Sequence, residues 1–205
     1  MIAAVLRALP VMAALAVGIG GDGMTSGRMA SGRMASTRMV STAAASTATE
    51  APTPYWTEVK WPFPVDQWGA GRAFQCLADA CGVAVTIYLR PKIGFCKCGK
   101  GVYDDAELDR VGDVGLLGQQ YAGLGEGREV AVGWMKGRSR AFSVSGPYRA
   151  PAAAAAIAFN DKCDVVVATV TADADLPRAA RQAVEFLNTE VVLRWARAEL
   201  GSNGS

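Results

Sequence analysis

The chain has 205 residues and a formal net charge of +2; 51% are hydrophobic, but 37 are alanine, so bulky core material is scarcer than that fraction suggests. This composition excludes a multi-span membrane protein and a mostly disordered chain. No histidine occurs, which excludes Ser-His-Asp triads, His-paired cysteine nucleophiles, His-ligated zinc hydrolases and c-type haem attachment.

Residues 1–20 predict a signal peptide. Arg7 supplies a short positive region, and an apolar run extends from Ala8 to Ile19. That run is too short for a helix to cross a bilayer, which takes about 20 apolar residues. Pro10 also interrupts it, and Ala14-Leu15-Ala16 has the small-residue pattern of a cleavage site. The expected location is therefore periplasmic or secreted. Gly18-Ile-Gly20-Gly-Asp-Gly23 imitates a dinucleotide-binding glycine motif. The acidic residue about 20 positions on that such a site needs is missing, so no nucleotide is expected.

Residues 21–54 read as a low-complexity linker. Met24, Met29, Met34 and Met39 recur at a period of five, with Ser26, Ser31, Ser36 and Ser41 in step. That period matches neither a helix nor a strand face. Interleaved arginines oppose capture of Cu(I) by the thioethers. From residue 50 onward the chain carries 17 basic and 18 acidic residues, so there is no basic excess to attract nucleic acid.

Residues 55–205 form the predicted globular domain. Extended segments are expected at Trp56–Phe63 and Gly71–Leu77. A half-buried strand is expected where Val83, Val85, Ile87 and Leu89 alternate with Ala84, Thr86, Tyr88 and Arg90. Asp104–Leu117 reads as a helix with Asp104 as N-cap, and Gly123–Gly127 as a loop. Two further strands, Glu129–Met135 and Arg138–Ser145, flank an expected Lys136-Gly137 turn. Ala152–Phe159 is open between strand and helix. Val165–Val170 is β-branched and apolar on both faces, as a central strand would be. Leu176–Leu200 is helical, with a break expected at Asn188-Thr189 and an apolar stripe of Ala180, Val184, Leu187, Val191, Trp195 and Ala198. The fold class is α+β: a single domain in which a C-terminal amphipathic helix covers an antiparallel sheet.

Trp61-Pro62-Phe63-Pro64, the strands at Arg138–Ser145 and Val165–Val170, and the helix from Leu176 resemble the PsbP/DcrB-like domains. The resemblance implies an exported protein in which a final helix packs on an antiparallel sheet. Because that family is functionally mixed, it implies little about activity.

Cys76, Cys81, Cys96 and Cys98 cluster within 23 residues, and Cys163 stands apart. In an exported chain such a cluster is expected to form two disulfides, in any of three pairings, with Cys163 left over. The alternative is a tetrahedral zinc or Cu(I) site built from the same four thiolates, although C-x4-C and C-x-C are not the usual spacing. Gly94–Gly101 nearly matches a phosphate loop but has Gly101 where the metal-binding hydroxyl belongs. Asp105–Asp109 starts like a calcium loop but has Arg110 in place of its glycine.

Arg90, Lys92, Lys97 and Lys100 make a candidate docking patch for an envelope protein or an anionic surface. Lys136, Arg138 and Arg140 form a second basic stretch. Pairing with Asp104, Asp105, Glu107 and Asp109 is the competing use of these charges. Tyr55, Trp56, Trp61, Phe63 and Trp68 either stack on a sugar or lipid or cover the sheet. The carboxylate pairs Asp104/Asp105 and Asp173/Asp175 carry no sign of the split environments that acid–base catalysis needs. The expectation is thus a non-enzymatic binding or accessory module of the cell envelope, stabilised by disulfides and without a cofactor.

Overall fold

The computed structural model describes residues 55–94, 99–146 and 152–201. The expected signal peptide and linker, with Cys96, Lys97 and Cys98, lie outside the described residues.

Seven strands form one antiparallel sheet. In chain order they are β1 (Thr57–Val59), β2 (Arg72–Cys76), β3 (Val85–Lys92), β4 (Gln120–Val132), β5 (Met135–Ser145), β6 (Ala153–Asp161) and β7 (Asp164–Ala172). Their order across the sheet is β1-β2-β3-β7-β6-β5-β4. The helices are α1 (Ala78–Cys81), α2 (Asp105–Val111), α3 (Leu176–Leu187) and α4 (Glu190–Gly201), with a 3-10 turn at Val114–Leu116.

The α+β class holds, and β7 is central as its composition requires. It pairs with β3 on one side and β6 on the other. Val166, Ala168 and Val170 belong to the core under α3 and α4, while Val165 and Val167 belong to a second core under α2. Helices therefore occupy both faces of the sheet. The alanine run resolves as strand β6 because both faces are filled. Ala155, Ile157 and Phe159 serve the first core, and Ala154, Ala156 and Ala158 the second. The small side chains let α2 come close: a Cβ at Gly112 would stand 3.7 Å from the Ala156 Cβ.

Local chemistry sets the ends of the helices. The Asp104 carboxylate accepts from Glu107 N at 2.7 Å, which satisfies an orphan amide at the start of α2. Asp175 accepts from Arg178 N and caps α3 in the same way. Asn188 breaks the C-terminal helix as expected, and it also anchors the break. Its Nδ2 donates to Val184 O and Ala131 O, and its Oδ1 accepts from Gly133 N.

Four local expectations change, the first being the helix over Asp104–Leu117, which stops at Val111 where Gly112 turns extended, ahead of the separate 3-10 turn. The β4–β5 turn is Gly133-Trp134, and Lys136 and Gly137 lie inside β5. Gly133 adopts a φ of +57°. Gly137 is needed for close approach instead, since a Cβ there would lie 2.1 Å from Ala158 O. Gly123–Gly127 is no loop between elements but part of β4, where the register with β5 shifts between Leu124 and Arg128. The helical stripe is rotated by about one residue. Ala179, Ala183, Phe186, Leu187, Val192, Ala196 and Leu200 are buried, whereas Val191 is 52% exposed.

Candidate functional site: a disulfide-buttressed cavity

Cys76 ends β2 and Cys81 ends α1, and the two are joined by a disulfide. Bonding across the Val83 strand, from Cys76 or Cys81 to the second cysteine pair, is therefore not made. Cys163, expected to be left over, is also disulfide-bonded. Hydrogen bonds tie neighbouring segments to its turn. The Asp164 carboxylate accepts from Gly94 N at 2.6 Å, and Asn160 Oδ1 accepts from Val102 N at 3.2 Å. The chain leaving β3 and the chain returning toward α2 are both tied to the β6–β7 turn that carries Cys163. The metal alternative required Cys76 and Cys81 as thiolates, and these two are bonded to each other. No cluster of His, Cys, Asp and Glu able to hold a metal occurs among the described residues.

The short α1 turn is held from several directions. The disulfide closes it, Gly82 caps it at a φ of +70°, and Gln182 Nε2 of α3 donates to Cys81 O at 2.5 Å. Gly82 lies against Arg178, where a Cβ would collide with the guanidinium. The fixed turn forms one wall of a cavity of about 330 Å³, lined by Tyr55, Thr57, Val59, Gln75, Leu77, Asp79 and Ala80. Pairing of β1 with β2 sets Thr57 opposite Gln75, and pairing of β2 with β3 sets Gln75 opposite Thr86. Thr86 in turn faces Thr171 on β7. The Gln75 amide donates to the Thr86 hydroxyl at 3.4 Å, and one oxygen of Asp79 accepts from Ala80 N. Tyr55 and Leu77 stand at the mouth, 75% and 65% exposed.

Two members of the candidate docking patch are not at the surface. Arg90 and Lys92 are 2% and 4% exposed, beneath the segment that carries Trp61 and Trp68. Arg90 grips Asp113 with two hydrogen bonds, of 2.9 and 2.7 Å, and reaches Asp66 at 2.7 Å. Lys92 Nζ lies 2.7 Å from Asp113 and donates to Val111 O. Burial by itself would lower the Arg90 pKa, but the bonds to Asp113 and Asp66 outweigh it and raise it. For Lys92 burial wins over the attraction of Asp113, and its pKa falls below the ordinary lysine value. Alternation already put Arg90 on one face of the strand with Tyr88, and Lys92 continues that face in β3. Asp113, the partner that draws them inward, gave no such signal. Lys97 lies outside the described residues, and Lys100 is exposed with its ammonium 5.2 Å from the Tyr103 ring centroid.

The second basic stretch divides. Arg138 pairs with Asp105, and Arg140 with Asp109 at 2.7 Å, while Lys136 is exposed. The carboxylates considered for acid–base work have structural duties. Asp104 and Asp175 are caps, Asp105 holds Arg138, and Asp173 accepts from Ala84 N. Among the aromatic residues, Trp61 and Phe63 pack edge-on against Tyr88, and Trp56 stacks on Phe186 with ring centroids 4.5 Å apart. Tyr55 is the one of the five singled out by sequence that keeps its ring in solvent. Thr57, Gln75 and Asp79 gave no signal because the β1–β2 register that pairs the first two and the disulfide-closed turn that places the third leave no trace in local sequence.

No protein-family model matches the chain, and no curated protein or solved structure matches it.

Proposed function

We propose that the protein is an exported, non-enzymatic binding or accessory module of the cell envelope, stabilised by disulfides. Its resemblance to PsbP/DcrB-like domains points the same way. One observation carries the reading: Cys76, Cys81 and Cys163 are all disulfide-bonded. Structural disulfides persist in oxidising compartments and are rare where glutathione and thioredoxin keep thiols reduced. Two further features support a binding role. Asp104, Asp105, Asp173 and Asp175 are engaged in capping and ion pairing, and the α1 turn is immobilised beside a cavity. Fixing a wall before the ligand arrives lowers the entropy lost on binding.

Cell fractionation, with thiol alkylation before lysis, tests the reading. The protein is expected in the extracytoplasmic fraction with Cys76, Cys81 and Cys163 protected from the alkylating reagent. A cytosolic protein with these three cysteines alkylated would refute it.

A further inference from the structure

We propose that the cavity between β1, β2 and the α1 turn binds a neutral sugar ring, an assignment that rests on the binding-module reading. Its volume of about 330 Å³ lies at the small end of the range for ligand sites, about 300–1,000 Å³. The chemistry of its lining selects the ligand class. The Thr57 hydroxyl and the Gln75 amide stand side by side on neighbouring strands. The Thr86 hydroxyl, one strand further on and outside the lining, accepts from the Gln75 amide. Strand spacing of about 4.8 Å matches the separation of alternate equatorial hydroxyls on a pyranose. Between them these groups both donate and accept, as hydroxyl ligands require. Across the cavity, Asp79 keeps one carboxylate oxygen beyond its bond to Ala80 N. A charged acceptor strengthens a hydrogen bond from a neutral hydroxyl and repels an anion.

Among the described residues the lining contains neither lysine nor arginine, so none of them neutralises a phosphate or a carboxylate. The Tyr55 ring and the Leu77 side chain supply the remaining component, an apolar surface at the mouth for the C–H face of a sugar. Both are open to a ligand arriving from solvent, at 75% and 65% exposure. The disulfide then has a specific use: together with the Gln182 bond it keeps Leu77 and Asp79 at a fixed distance from Thr57 and Gln75.

Saturation-transfer NMR on the full-length oxidised protein tests the assignment. The probes are maltose, cellobiose, mannobiose and N,N′-diacetylchitobiose at millimolar concentration, with glucuronate as the anionic control. Transfer to the ring protons of at least one neutral disaccharide is expected, and less to glucuronate. Tyr55→Ala and Asp79→Asn should each weaken that binding about tenfold, equivalent to about 1.4 kcal/mol, with an unchanged melting temperature. Val191→Ala, on α4, should bind as the parent does. Absence of transfer to all four disaccharides, or transfer unchanged in both cavity variants, would overturn the sugar site. An exported, oxidised protein that fails this test loses only the ligand assignment. A cytosolic, reduced protein that passes it loses the export reading and keeps the sugar site.

Discussion

Arg90 and Lys92 leave β3 on the same face, and Asp113 meets both. Two buried cations sharing one buried carboxylate form a tight unit, with Asp66 as a second, more exposed acid beside Arg90. Replacing such a cluster with apolar residues can be harmless, but removing one member strands the others without compensation. Asp113→Ala should therefore destabilise the domain by about 3–5 kcal/mol, read from the urea midpoint of unfolding. A shift below about 1 kcal/mol would mean that water replaces the carboxylate. A second charged residue gives a pH dependence. The hydrogen bond from Arg138 holds Asp105 below the ordinary aspartate pKa of 3.8. Between the folded and unfolded values the unfolded chain binds the extra proton. The contribution is therefore present above the unfolded pKa and disappears as pH falls through the lower, folded one. Asp105→Asn should lower stability at neutral pH and make the decline below pH 3.8 shallower. An acid limb identical to the parent's would contradict the pairing.

At the scale of elements, the helical break separates two faces that sequence spacing had joined. Leu187 and Val191 sit at helical spacing, yet Asn188 redirects the chain between them. Leu187 stays in the core while Val191 turns outward. Leu187→Ala should cost about 2–5 kcal/mol, and Val191→Ala less than about 0.5 kcal/mol, compared in the same denaturant titration. Comparable costs would place the two residues on one buried face. Trp195, a member of the expected stripe, is only partly buried, with Arg72 over its ring. The strands were legible wherever burial alternates, as in Val85, Ile87 and Leu89. The capped start of α2 was legible from Asp104, and the helix break from Asn188. What escaped depends on partners remote in sequence. Gly137 imitates a turn glycine, but its lack of a side chain answers to the approach of Ala158 on β6. The Gly123–Gly127 cluster imitates a loop, but it is an irregularity inside an edge strand. The cavity was the least legible feature. Tyr55 announced itself as an aromatic ring, while Thr57, Gln75 and Asp79 acquire meaning only through strand register and the disulfide-closed turn.

At the largest scale, the described residues form a sheet with helices on both faces and disulfide chemistry at opposite ends of β3. Cys76 and Cys81 bond to each other where β3 begins. Where it ends, Cys163 sits on the turn held against the outgoing chain. Both ends of a central strand are thus covalently or closely tied to their neighbours, so oxidation and the stability of the sheet are linked. The oxidised state of Cys76, Cys81 and Cys163 is the central claim at this scale. Intact-mass spectrometry of the protein recovered from the cell envelope or medium, without reduction, tests this most directly. The expected mass is four hydrogens below that of the reduced chain, reflecting Cys76–Cys81 and the bond to Cys163, with one thiol open to alkylation. Five alkylated thiols, or zinc or copper held in stoichiometric amount and released by a chelator, would contradict an oxidised, exported module.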